Sequence, residues 1–340
     1  MKKRIIIIWF LINCCFMNKN AQNSDYLQMV SYAIKAPSGH NAQPWLFELH
    51  NDKIIILPNF AKTLPAVDPN NRELFISLGC AAENLCLAAS ALQYSTTVNV
   101  DSIGSISVHL QKSDDVTPDT LFDQIENRQT NKSVYNGKKI SDETLSKIVQ
   151  QMQTDKNNIY SWAKNTAEFE QLTDFVLQGN LLQMNDKAFK EELLSWIRFN
   201  KKHSENTKDG ISYAVMGAPD LPKSITKTIV KFALNPKSQN KTDLKKINSS
   251  SHLLLLTSRE NDIVSWIATG RILQRLLLTL TQNDIATAYL NQPCELEELN
   301  TKMQTQLPID RQKPQILLRI GYAKPMPYSK RKAIPEVIKK

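Results

Sequence analysis

Residues 36–49 read Ala36-Pro37-Ser38-Gly39-His40-Asn41-Ala42-Gln43-Pro44-Trp45-Leu46-Phe47-Glu48-Leu49. The stretch closes a helical pattern that runs from Asp25 to Ala36 and opens a strand at Trp45. Pro37-Ser38-Gly39 breaks the helix and turns the chain sharply. Ser38, the Gly39 amide and the side chains of Asn41 and Gln43 then point into one crevice. Short polar groups beside free amides suit a flat heteroaromatic ring carrying several nitrogens and carbonyls. On the residues alone, an ordinary turn before a strand, with Trp45 in the core, fits equally well.

Two short strands follow, Trp45 to Leu49 and Lys53 to Leu57, joined as a hairpin by His50-Asn51-Asp52. Glu73 to Tyr94 is rich in Ala and Leu and apolar on most sides, which predicts a buried helix. Residues 96–111 alternate as a second hairpin. The pattern then restarts. Ser141 caps a helix, although Thr144 stands where a full capping box has an acid. Helices are predicted near 165–178 and 186–199, followed by a polar loop with Gly210, Gly217 and Pro219. A buried strand at His252–Thr257, a second long apolar helix at Asp262–Thr281 and a strand at Gln315–Ile320 complete the chain. The order helix, strand, long buried helix, strand thus occurs twice, as an internal repeat of element order rather than of residue identity.

With 340 residues, 41% hydrophobic and 22% charged, the composition excludes wholesale disorder and a multi-pass membrane protein. A net charge of +9 invites nucleic acid. However, Lys2, Lys3, Arg4 and Lys19 fall in the first 21 residues, which hold no acid, and the other basic residues are scattered. No nucleic-acid partner is expected. Residues 1–21 read as an export signal: a basic start, then an apolar run from Ile5 to Met17, with cleavage near Ala21-Gln22 and a periplasmic destination. That run rises about 20 Å as a helix, short of a bilayer core of about 30 Å. A rival processing route lipidates Cys14, and only then is a membrane partner expected. The remaining cysteines, Cys80, Cys86 and Cys294, make no disulfide framework.

The APSxHNxQPW turn resembles the flavin-contacting turn of the FMN-dependent nitroreductase family, and particularly its fused single-chain, Acg-like branch. Asp68 to Leu74 leading into Ser77-Leu78-Gly79-Cys80-Ala81-Ala82 is similar to that branch's entry to its first long helix. Asn127-Arg128-Gln129-Thr130-Asn131-Lys132 resembles the segment that grips the FMN phosphate. Ala268 to Arg271 and Leu290-Asn291-Gln292-Pro293 resemble the second long helix and its following turn, and Arg319 to Ala323 with Tyr328 to Lys332 resembles the closing strand and basic tail.

The resemblance implies an α+β nitroreductase fold. Two related α/β halves, residues 22–125 and 126–340, would mimic the family's homodimer within one chain, so a monomer suffices. Residues 203–222 are a candidate lid. One FMN is implied, because the ring turn occurs only in the first half and the phosphate segment only in the second. Its implied contacts are Pro37, Ser38, Gly39, His40, Asn41 and Gln43 at the turn, Gln292, and Arg128, Thr130, Lys132 and Arg331 toward the phosphate, where bidentate arginines suit the charge. Gln129 and Lys132 depart from the arginines frequent in the family.

The implied chemistry moves hydride from a reduced nicotinamide through the flavin to a small-molecule acceptor, a nitro compound or quinone. The cofactor carries that chemistry, so no catalytic acid or base is assigned. His40 either donates to the ring or caps the turn. His109, His203 and His252 have no ligand-spaced partners, and no metal is expected. Export would part the protein from nicotinamides. A flavin oxidoreductase with another donor therefore stands beside an exported FMN storage or sequestration protein with little turnover, and beside an α/β protein whose site has decayed.

Overall fold

The computed structural model describes residues 22–339, so the export segment with Cys14 lies outside the described residues. A helix at 22–33 leads through the 36–44 turn into β1 (Trp45–Leu49) and β2 (Lys53–Pro58). The first long helix, Arg72–Ala91, precedes β3 (Tyr94–Val100) and β4 (Ile106–Lys112). These four strands form an antiparallel sheet in the order β1-β2-β4-β3. After a helix at Asp142–Met152, β5 (Asn157–Ala163) is separated from the next long strand by residues 164–251. This excursion holds helices at Ala167–Asn185, Lys187–Trp196, Lys201–Thr207, Lys223–Ala233 and Pro236–Asn248, with the short β6 (Ile197–Arg198) and β7 (Ile211–Ser212) between them. Then come β8 (His252–Ser258), the second long helix Ile263–Gln282, β9 (Ala286–Tyr289) and β10 (Lys313–Gly321). The second sheet runs β5-β8-β10-β9, antiparallel throughout.

The two sheets thus share one topology, and the correspondence extends to residues. Each long helix is 20 residues long with a glycine at its eighth position, Gly79 or Gly270. Each is followed at the same offset by a left-handed residue, Gln93 (φ 59°) or Asp284 (φ 58°), that turns the chain into a strand. The helices cross at the glycines. A Cβ on Gly79 would lie 2.1 Å from the Ile267 carbonyl, and one on Gly270 would lie 2.0 Å from the Ile76 carbonyl. Backbones approach this closely only where side chains are missing. Around the crossing, the equivalent residues Phe75 and Trp266 stack with centroids 6.1 Å apart. Gln274 Nε2 donates to Asn84 Oδ1 (2.7 Å), and buried Glu83 accepts from Arg271 (2.8 Å) and Arg275 (2.9 Å). Charge inside this interface is therefore paired. Both long helices are apolar enough to span a bilayer by composition, but here they bury that surface against each other and the sheets.

β8 is buried at every residue, and alternation divides its side chains between two cores. Leu254 and Leu256 join the main core with the long helices, whereas Leu253 and Leu255 join Phe169, Leu172, Phe175 and Met303 on the outer face. Among the described residues the first sheet has no such second cover, and its β3 alternates between exposed and half-buried residues beyond Tyr94. From β10 the C-terminal tail crosses to the first half, where Ile338 bridges Phe47 and Lys339 N donates to the Phe47 carbonyl (2.9 Å).

Candidate functional site

A cavity of about 940 Å³ lies where the halves and the excursion meet. Its size is at the upper end of small-molecule sites, which run to about 1,000 Å³. The first half supplies Pro37, Ser38, Gly39, His40 and Asn41, with Glu73, Ile76, Ser77 and Cys80 from the first long helix. The second half supplies Arg128, Thr130, Lys132, Tyr289, Asn291 and Gln292, and the tail adds Ser329, Lys330 and Arg331. The excursion closes it with Met184, Phe189, Ile211, Val215, Val230 and Lys246 among others. Of the FMN contacts that the resemblance implies, only Gln43 stands outside the lining.

The 36–44 turn holds an uncommon backbone. His40, Asn41 and Gln43 all have positive φ (49°, 57° and 55°), a conformation that costs non-glycine residues about 1 kcal/mol or more each. Surrounding bonds compensate. Gln43 N donates to Ser38 Oγ (3.0 Å), while Asn41 N and Ala42 N donate to the carbonyls of Ser38 and Gly39 (both 2.9 Å). Arg331 does the most. Its Nε donates to the Ile34 carbonyl (2.9 Å), Nη1 to Asn41 Oδ1 (2.8 Å) and Nη2 to the Ala36 carbonyl (3.1 Å). Burial, with Arg128 nearby, pushes the Arg331 pKa down to about 9. A fork so committed staples the tail to the turn. The same side chain lines the cavity.

Gln43 is likewise a clamp. Its Nε2 donates to the Lys208 carbonyl (2.9 Å) and its Oε1 accepts from Lys332 N (2.8 Å). Beside it, Asn41 Nδ2 donates to the Gly210 carbonyl and Gly210 N to the Asn41 carbonyl (both 3.1 Å). Residues 208–210, within the candidate lid, are thereby fastened to the turn. Asp209, itself bound by Arg198 (2.7 Å) and Lys62 (3.3 Å), completes the fastening.

Across the cavity, residues 127–133 lie along the second sheet, with Thr130 bridging Thr287 and Arg319 Nη2 donating to the carbonyls of Asn131 (3.1 Å) and Ser133 (2.8 Å). Arg128 Nη2 donates to the Lys35 carbonyl (2.7 Å), leaving its buried Nε without a partner. Gln129, where the family often has arginine, accepts from Met326 N (2.5 Å) and so positions the tail. Burial, with Lys246 adding repulsion, lowers the Lys132 ammonium to about 8. Gln292 is wedged by Gly179, whose added Cβ would lie 2.7 Å from the Gln292 Cβ. Its Nε2 donates to Asn180 Oδ1 (3.0 Å) and Asp243 Oδ2 (3.2 Å), while Oε1 has no partner. His40 Nε2 is also buried and unpartnered, and burial lowers the imidazole to about 4, with Lys132 contributing. His40 is neutral at physiological pH.

A buried carboxyl group, Glu73, and a half-buried one, Glu295, were not anticipated. Glu73, at the start of the first long helix, accepts from Arg72 (3.3 Å) and Asn291 (2.9 Å), and Glu295 accepts from Gln183 (2.6 Å). Burial raises both, and Glu295, also facing Glu73, is held well above the usual carboxylate range. Lys246 and Tyr289 were missed as well. The available signal, for Glu73, was an acid opening a helix apolar on most sides. No cluster of metal-ligating side chains occurs among the described residues.

The contents of the cavity, cationic groups at Arg128, Lys132 and Lys246 with buried polar atoms of His40, Arg128 and Gln292 unsatisfied by protein, fit a flat polar ring bearing an anionic group.

No protein-family model matches the chain. A Mycobacterium tuberculosis H37Rv protein named an NAD(P)H nitroreductase is 21% identical over 340 residues, covering 95% of this chain and 93% of the relative. Another from the same species, named NAD(P)H nitroreductase acg, is 24% identical over 327 residues, covering 91% and 93%. Among solved structures, an FMN-dependent nitroreductase from Mycobacterium smegmatis in complex with NADPH aligns at TM-score 0.40 and 13% identity, covering 64% of this chain and 96% of its own. A Bacteroides fragilis nitroreductase with bound FMN aligns at TM-score 0.38 and 13% identity, covering 63% and 94%. The resemblance read from residues 36–49 is thus matched by similarity, over nearly the whole chain, to single-chain proteins named nitroreductases.

Proposed function

We propose that the chain is an FMN-dependent oxidoreductase of the nitroreductase kind, holding one FMN in the cavity and passing electrons to nitro or quinone-type acceptors. The observation that carries this reading is the joint construction of a single cavity, with the turn from one half and residues 128–132 and 292 from the other. Relatives named for NAD(P)H nitroreductase activity, similar over more than nine-tenths of the chain, support it. Arg128, Thr130 and Lys132 would hold the phosphate, and the 37–41 turn and Gln292 would hold the ring. When bound, the flavin supplies hydride acceptance and donation. The chain's part is to present a neutral His40, which offers either a donor or an acceptor at Nε2, and to exclude water with the apolar wall of the excursion.

Export to the periplasm belongs to the same reading, supported by Lys2-Lys3-Arg4 and the apolar run that follows. The test is the visible spectrum of the purified full chain, its flavin stoichiometry, and anaerobic addition of NADH or NADPH. A yellow protein with one FMN per chain, bleached by a reduced nicotinamide and restored by a quinone, is expected. A colourless chain that takes up no added FMN, or a yellow one bleached only by dithionite, overturns the proposal.

A further inference from the structure

The helix Lys223–Ala233 has two apolar faces with different surroundings. Val230 and Ala233 line the cavity, and Thr226 is buried. Ile225, Ile229 and Phe232 face solvent, 49%, 54% and 80% exposed. They recur at i, i+4 and i+7, so they form one stripe along the helix. Such a stripe normally turns to a core. Here the core side is already occupied by the cavity wall, and the outer stripe is left over. Lys223, Lys227 and Lys231 repeat every four residues on the polar arc, and the segment from 221 to 242 holds five lysines and no acid. The excursion also exposes Leu181, Leu182 and Leu244, so most of the large exposed apolar side chains of the described residues belong to it.

We propose that this helix docks the protein in the interface of an anionic lipid bilayer, with Ile225, Ile229 and Phe232 entering the headgroup and acyl boundary and the lysines facing phosphate headgroups. The composition is that of an interfacial helix: a large apolar arc, a lysine-rich polar arc and low overall hydrophobicity. Charge argues for lipid over a second copy of this chain. A face-to-face dimer would set lysine against lysine, with no acid between 221 and 242 to relieve the repulsion. Anionic headgroups remove the repulsion, each nearby lysine contributing about 1 kcal/mol. The inference does not rest on the flavin. It requires only the exposed stripe and its charge.

The test uses the full chain with vesicles of phosphatidylglycerol mixed with phosphatidylcholine, and with phosphatidylcholine alone. Co-sedimentation is expected with the anionic vesicles and is expected to weaken as salt rises. I225S/I229S/F232S should bind at least about tenfold more weakly while keeping the wild-type melting temperature, because only exposed side chains change. K223Q/K227Q/K231Q should lose the preference for anionic lipid. The N-terminal apolar run is a second candidate for vesicle binding, so hydrogen exchange supplies a local readout: amides of 223–234 should slow when anionic vesicles are added. Binding with no slowing there, or a serine variant that binds as the wild type does, overturns the proposal. So does a wild type that dimerises through the stripe and leaves vesicles alone.

Discussion

The two halves share four strands in one order and a long helix with its glycine at the same place, and they differ most at one connection. Between β1 and β2 the first half spends only His50, Asn51 and Asp52, whereas between β5 and β8 the second half spends residues 164–251. Both connections rejoin the sheet in the same manner. His50 N donates to the Lys53 carbonyl (2.9 Å), and Lys164 N to the Ser251 carbonyl (3.0 Å). The consequence is unequal burial. The first sheet keeps one face near solvent, while the second acquires a second core and the cavity gains a wall. A duplicated scaffold therefore supplies symmetry at its axis, and the longer connections of the second half break that symmetry, covering its outer face and walling the cavity.

The most damaging way to test this comparison is at the axis. Gly79→Ala and Gly270→Ala each push a Cβ into a carbonyl at about 2 Å, and each should cost about 3 kcal/mol or more by chemical denaturation, since overpacked backbones cannot relax cheaply. Near-equal losses would support residue-level equivalence, and a large loss at one site beside a neutral change at the other would break it.

Next comes the contact between the halves at the turn. Arg331→Ala strands the carbonyls of Ile34 and Ala36 together with Asn41 Oδ1, and should lower stability by about 2–3 kcal/mol. Its effect should also appear as weakened FMN binding in a fluorescence titration, with the turn no longer held in its left-handed conformation.

A smaller effect should come from Glu295. Its folded-state pKa is raised above the usual 4.5, so the folded protein keeps a proton that the unfolded chain releases. That contribution is fully present below the ordinary carboxylate range and is lost as pH rises through it toward the folded value. Melting temperature measured across this span should fall with pH in the wild type and be flatter in Glu295→Gln, with the variant more stable at neutral pH. A variant with the wild-type slope would remove Glu295 from the account.

The mildest change is to lengthen the short connection. A few Gly and Ser residues inserted after Asn51 should cost about 1 kcal/mol or less, because loop-closure entropy grows slowly with length. A large loss would mean that the two connections are not equivalent in kind.

Much of the site was legible because it rests on backbone chemistry. Pro37-Ser38-Gly39 announces a turn, and the resemblance, not the residues alone, singles out Arg128, Thr130 and Lys132; the structure brings both segments to one cavity. The protein partners of Gln43 and Arg331 were not legible, since which acceptor a side chain meets depends on segments up to about 300 residues away. Glu73 carries one local signal, as an acid opening an apolar helix, and Glu295 carries none. An acid in a sequence looks solvated until the fold buries it.

Local pattern was enough for the two buried helices, the hairpins and the repeated order of elements, because hydrophobic periodicity and turn residues act over a few positions. Three features required the folded chain: the meeting of Gly79 with Gly270, the insertion's role as second cover and cavity wall, and the stripe of Ile225, Ile229 and Phe232 left facing outward. In each the deciding quantity is what another segment packs against, and no short window of residues contains it.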